Sequence, residues 1–227
     1  MGKGYRAVLL DVDGTLVDSN YPHTVAWWQA FREAGLDVPM WRIHRAIGMG
    51  ADQLIPHVLD GSSPEVDAEA ITGSHDALYA AWWPSLRALP GARDLVRRCH
   101  DAGLVTVLAS SAGGREVRVL RELLDVDDAI DEATSSDDAD DSKPAPDLVG
   151  VAVQRAGVEP ADAVFIGDSV WDVRACARAG VPCLGLQSGG TSAAELREAG
   201  AVQVYRDAAD LLARWEASPL APTDQAS

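Results

Sequence analysis

Apolar positions along the chain change rhythm twice. Residues 6–11, RAVLLD, make a short unbroken apolar run, the form of a strand buried on both faces. From Pro22 to about Pro84 the spacing becomes helical. HTVAWWQAFREAGL is amphipathic and closed by Gly35, WRIHRAIGMGADQLIPHVLDG follows with a break at GMG, and PEVDAEAITGSHDALYAAWW completes the set behind Pro64. No strand candidate interrupts this stretch. After PGAR (90–93) strands and helices alternate. The strand candidates are LVTVLAS (104–110), DAVFIGD (162–168), VPCLGL (181–186) and VQVY (202–205). DLVRRCHDAG, GGREVRVLRELL, PDLVGVAVQRAG, WDVRACARAG, AAELREAG and DAADLLARW read as the helices around them. The tail SPLAPTDQAS is expected to fray.

Such alternation specifies a parallel sheet covered by helices on both faces. The chain therefore divides into an α/β core, residues 1–17 and 88–227, and an all-helical insert, residues 18–87, placed after the first strand. In open α/β sheets, ligands bind beyond the carboxyl ends of the strands. Asp11, Ser110 and Asp168 stand at three such ends, which turns scattered residues into one candidate site.

Composition narrows the classes of partner. The chain has 227 residues, 47% of them hydrophobic, enough for one large domain or a medium domain with an insert. No run approaches the ~18 apolar residues of a membrane span. MGKGYRAVLLD lacks the apolar region of a signal peptide, and Arg6 stands where a myristoylation motif beginning at Gly2 wants Ser or Thr. A cytoplasmic protein without a membrane partner is the expectation. A formal charge of -16 argues against a nucleic-acid partner and admits an anionic substrate only where local cations reverse the field. Cys99, Cys176 and Cys183 form no CxxC pair and read as inert core thiols. The stretch 125–141, with nine carboxylates, reads as a solvated loop. Trp27, Trp28, Trp41, Trp82 and Trp83 read as core of the helical insert. Oligomeric state is not written in the sequence.

The candidate chemistry starts from repulsion. Two unit charges ~4 Å apart cost roughly 4 kcal/mol at an effective dielectric of about 20. Asp11, Asp13, Asp168 and Asp172 in one crevice therefore call for a cation, and an all-oxygen set beside a phosphate suits Mg2+. Lys143 is one of only two lysines among the 19 Lys and Arg residues, which suggests a need for a compact point charge.

These residues carry a resemblance. DVDGT at 11–15, Ser110 of VLASS, Lys143 of SKP and GDSVWD at 167–172 resemble, in order, the four motifs of the haloacid dehalogenase (HAD) superfamily. The helical insert resembles that family's C1 cap, in the subgroup of phosphoglycolate phosphatase and β-phosphoglucomutase. The resemblance implies a doubly wound, Rossmann-like core and a Mg2+-dependent phosphatase acting on a small phosphorylated metabolite through an aspartyl-phosphate. It implies Asp11 as nucleophile, and Asp13 as acid/base with its carbonyl on the metal. Ser110 would bind the phosphoryl group, Lys143 would offset its charge, and Asp168 would complete the metal site with Asp172 as ligand or holder. Substrate contacts are implied for Gly14, Thr15, Ser111, His23, Met49 and Gly50, with hinge packing an equal reading of His23. GMGAD (48–52) would close over the site.

Asp13 argues against the dehalogenase branch, because halide leaves without a proton. Phosphonatases need a cap lysine, and residues 16–89 contain none. The mutase branch grips a second phosphate with an Arg where this chain has Ala51, although Arg42 or Arg45 could substitute. A phosphosugar mutase and a non-catalytic HAD-fold binding protein are the rival readings.

Overall fold

The computed structural model describes residues 4–60, 66–135, 138 and 141–221. Pro64, expected to open the third insert helix, lies outside the described residues. Six strands form one all-parallel sheet: β1 (Ala7–Leu10), β2 (Val105–Ala109), β3 (Glu132–Thr134), β4 (Ala163–Gly167), β5 (Cys183–Leu186) and β6 (Gln203–Tyr205). Their order is β3-β2-β1-β4-β5-β6. β1 is central, and Leu10 stands opposite both Leu108 and Ile166. Asp11, Ser110 and Asp168 thus leave the sheet side by side, at the strand switch where α/β sheets place ligands.

Both faces of β1 are buried, which is why its sequence is unbroken rather than alternating. Val8 and Leu10 feed one core with Leu95, Leu120 and Leu211. These come from α5 (Ala92–Asp101), α6 (Gly114–Leu124) and α10 (Ala208–Ala213). Ala7 and Leu9 feed the other with Val149, Val173 and Leu196, carried by α7 (Asp147–Ala156), α8 (Val170–Ala179) and α9 (Ala193–Ala199). Among the described residues, the insert folds as a cap of four α-helices, α1 (Asn20–Glu33), α2 (Met40–Ala46), α3 (Ala51–Leu59) and α4 (Ala68–Ala80). It has an apolar cluster of its own around Trp27, Phe31, Ile43, Leu54 and Ile71.

Three expectations change. Residues 132–134 form the edge strand β3 inside the stretch read as a solvated loop. Three residues flanked by acids are too short to show a strand period, and pairing with β2 fixes them. Leu220, in the tail expected to fray, is buried in the first core. Of the insert tryptophans only Trp27 is fully buried, while Trp41 is 67% and Trp82 40% exposed. All three cysteines are buried and free. Among the described residues, no helix is long and apolar enough to cross a membrane.

Candidate active site

Behind β1 the chain must reverse at once. Leu16 and Val17 both donate backbone hydrogen bonds to the Val12 carbonyl, and Gly14 makes the turn at φ +75°. A Cβ on Gly14 would stand 2.3 Å from Asn20 Nδ2, so the position has no room for a side chain either. The turn aims Asp11 at the sheet's centre. There Lys143, wholly buried, places Nζ 2.6 Å from Asp11 Oδ1 and 2.7 Å from Asp172 Oδ1, and donates to the Ala109 carbonyl at 3.3 Å. Burial alone would lower the pKa of this ammonium, but Asp11 and Asp172 outweigh it and hold the pKa well above the ordinary value.

Asp168 is set from two sides. Its Oδ1 accepts from Thr15 Oγ1 at 3.1 Å and its Oδ2 from Asn20 Nδ2 at 2.9 Å. Gly189 passes so close that a Cβ there would fall 1.5 Å from Asp168 Oδ2. Asp172 is fixed by its place in α8, where it closes a capping box with Ser169. Its Oδ2 accepts from the Ser169 amide at 3.0 Å and from Ser169 Oγ at 2.6 Å.

One oxygen from each of Asp11, Asp168 and Asp172 lies within 4.8 Å of the others, and all three residues are buried. Burial, reinforced by Asp172 and Asp13, raises Asp11 to about 7 even against Lys143. Burial, with the charges of Asp11 and Asp172 adding, raises Asp168 well above the usual carboxylate range. One ammonium is therefore too little positive charge for this crevice. Its donor set, carboxylates with Gly189 leaving space against them, fits a hard divalent ion.

Asp13 belongs to a second cluster. Its Oδ1 accepts from Ser19 Oγ at 2.6 Å, and His23 Nε2 lies 3.3 Å from both Asp13 Oδ1 and Glu116 Oε1. Against the cost of burial, hydrogen bonds from His23 and Ser19 lower the pKa of Asp13. Likewise against burial, Asp13 and Glu116 raise His23 to about 10. His23 Nδ1 meets His75 Nε2 at 3.2 Å, and His75 Nδ1 meets Asp76 Oδ1 at 2.9 Å. Burial, with the charge of His23 adding, lowers His75 to about 4. His23 is thus the charged ring and donates to a neutral His75.

Asp11 and Asp13 open on a cavity of about 440 Å³ between core and cap. Of the expected substrate contacts, His23, Met49, Gly50 and Ser111 line it. Gly14 and the fully buried Thr15 instead support Asp168 from behind. Ser110 is also fully buried, its Oγ accepting from the Ala112 amide at 3.1 Å. The GMGAD loop does face the site: the Gly50 amide donates to Ser142 Oγ at 3.0 Å, and Asp52 accepts from both the hydroxyl and the amide of Ser142. Arg42 pairs with Asp60 at 2.7 Å and Arg45 with Glu195, so neither takes the place of the Arg missing at Ala51. Sequence reasoning missed Asn20, Glu116, His75 and Gly189. Of these, only the GG pair at 189–190 carried a local signal, that of a tight turn.

Comparison with known proteins agrees with this arrangement. The family model described as haloacid dehalogenase-like hydrolase matches residues 5–180. A phosphoglycolate phosphatase of Pseudomonas putida is 30% identical over 190 residues, covering 81% of this chain and 70% of that protein. A solved hydrolase from Pseudomonas syringae superposes with a TM-score of 0.88 at 32% identity, covering 93% of this chain and 98% of that one. CbbY from Rhodobacter sphaeroides, solved in complex with phosphate, shares the fold with a TM-score of 0.73 at 23% identity, over 91% and 96% of the two chains.

Proposed function

The chain belongs to the haloacid dehalogenase-like hydrolase family, and on that premise we propose that it hydrolyses the phosphate monoester of a small metabolite through a phosphoryl group carried on Asp11. The observation that supports this most directly is Asp11 itself. It lies at the cavity floor, buried, with one oxygen held by an ammonium that no solvent reaches.

In this reading Asp11 attacks phosphorus, the bond from phosphorus to the ester oxygen breaks, and the leaving oxygen takes a proton through Asp13. Asp13 is held ionised at rest, so that proton comes from the His23 imidazolium 3.3 Å away. Water then attacks the phosphoryl group on Asp11. Its proton returns to the Asp13–His23 pair, inorganic phosphate leaves, and Asp11 is restored. Lys143 keeps Asp11 in place and offsets charge on the phosphoryl oxygens. Asp11, Asp168 and the Asp13 carbonyl, with Asp172 beside them, would hold Mg2+, which when bound supplies charge neutralisation and orientation for the phosphoryl oxygens. The insert, residues 18–87, acts as the cap that excludes bulk water.

Asp11→Asn keeps the shape and removes the nucleophile. Wild type with Mg2+ should release phosphate from a panel of phosphate esters and, on rapid quenching, gain the mass of one phosphoryl group. The variant should do neither. Near-wild-type turnover by the variant contradicts the covalent route. No release by wild type from any ester favours a non-catalytic binding protein.

A further inference from the structure

The cavity that receives the ester has an unusual charge balance for a site handling an anion. Beyond Asp11 and Asp13, its wall carries the carboxylates of Asp52, Asp76 and Glu116. Among the described residues, no Lys or Arg lines it. The undescribed internal positions, within 61–65 and 136–140, contain neither residue type.

Four described cations that could serve the site are committed elsewhere. Lys143 is fully buried under Asp11. Arg42 and Arg45 pair with Asp60 and Glu195, and Arg115 lies over the Trp83 ring at 5.1 Å. Of the two histidines on the wall, His23 sits between Asp13 and Glu116, and His75 faces Asp76. Neither has charge to spare for a ligand.

A phosphoryl group at Asp11 would meet the charge of Lys143 and of a bound divalent ion. The other half of the molecule would meet carboxylates, the already paired rings of His23 and His75, the hydroxyls of Thr72, Ser111 and Ser142, and the apolar surfaces of Trp27, Ile47 and Met49. A second anion there would find, among the described residues, no uncommitted cation and several repellers, and such repulsion selects against a ligand as strongly as attraction selects for one.

Resting on the phosphatase reading above, we propose that the alcohol half of the substrate carries no anionic group: it is a hydroxylated or amine-bearing compound. Esters bearing a second carboxylate or phosphate, phosphoglycolate and sugar bisphosphates included, are discriminated against by the wall.

Three esters of matched length isolate the charge: 2-phosphoglycolate, 2-hydroxyethyl phosphate and 2-aminoethyl phosphate. With Mg2+ present, kcat/KM for 2-phosphoglycolate should be at least ~10-fold below that of either other ester. Equal or preferred turnover of 2-phosphoglycolate overturns the inference and leaves the phosphatase reading standing. Absence of release from all three and from p-nitrophenyl phosphate brings down the phosphatase reading and the inference with it. Asp76→Lys supplies the second arm, at a side chain 67% exposed, where the exchange is tolerable for folding. It should raise the rate with 2-phosphoglycolate relative to that with 2-aminoethyl phosphate. An unchanged ratio would mean that the wall's charges do not select.

Discussion

Asp11 and Asp13 are two residues apart in sequence and face opposite electrostatic settings. Asp11 is raised by burial among carboxylates, whereas Asp13 is lowered by the donors around it. Lys143 is what makes the first setting tolerable. Lys143→Met should cost about 3–5 kcal/mol in urea unfolding without divalent ions, because Asp11 and Asp172 would be left buried without their cation. Lys143→Arg should not restore the loss, since a planar fork does not fit a pocket built for a point charge. The two histidines make opposite contributions to the pH dependence of stability. His75 titrates near 4 in the folded chain against an ordinary 6.5, so between these values the unfolded chain binds more protons and stability falls as pH drops. His23 titrates near 10, so its contribution is complete below 6.5 and is lost as pH rises toward 10. Measured against pH without divalent ions, unfolding free energy should carry both slopes on top of an opposing one from Asp11 and Asp168, whose raised carboxyls lose stability as pH rises, so the histidine contributions are read as differences from the variants. His75→Gln should make the acid limb shallower, and His23→Gln the alkaline limb. Asp11, Asp13, Asp168 and Lys143 were legible because each sits in a short local motif at a strand end or loop. Asn20 was not, because its partner Asp168 is 148 residues away and only the fold joins them.

At the scale of elements, α8 shows how a local rule supports a site. Ser169 caps the helix and Asp172, three residues on, returns the bond to the Ser169 amide. That reciprocity holds Asp172 at the angle from which its other oxygen reaches Lys143. Ser169→Ala should lower stability by about 1 kcal/mol by chemical denaturation. It should also lower turnover, which an ordinary cap loss would not touch. Legibility at this scale follows element length. Strands β1, β2 and β4 announce themselves as apolar runs bounded by Gly, Ser or acids, and α5 to α10 by amphipathic period, with a closing glycine after α5, α7, α8 and α9. The edge strand β3 has three residues and no apolar run, so nothing in its sequence distinguishes it from the acidic loop around it. The exposed Trp41 likewise defeats composition alone, which records that a tryptophan is present but not which way its helix turns it.

Across the whole molecule, the cap has an apolar cluster of its own and joins the first core cluster through Ala26, Tyr79 and Leu86, and polar ties add to that packing in setting its placement. Those ties converge on the active site. Asn20, the first residue of α1, holds both Asp168 and the Gly189 carbonyl. Asp52, in the first turn of α3, holds Ser142, the residue directly before Lys143. Trp171, in α8, donates from Nε1 to the Arg45 carbonyl at 3.0 Å. The seated cap therefore braces the loop that carries the buried ammonium. Asp52→Ala removes the tie from a side chain that touches neither Asp11 nor Lys143. It should lower kcat/KM about tenfold, equivalent to about 1.4 kcal/mol, while leaving the urea midpoint within about 0.5 kcal/mol of wild type. Ser142→Ala should give a comparable loss, and the double variant less than the sum of the two, because both remove the bond from the Ser142 hydroxyl to Asp52. Additive losses would mean that Asp52 and Ser142 act on the substrate separately rather than through cap closure.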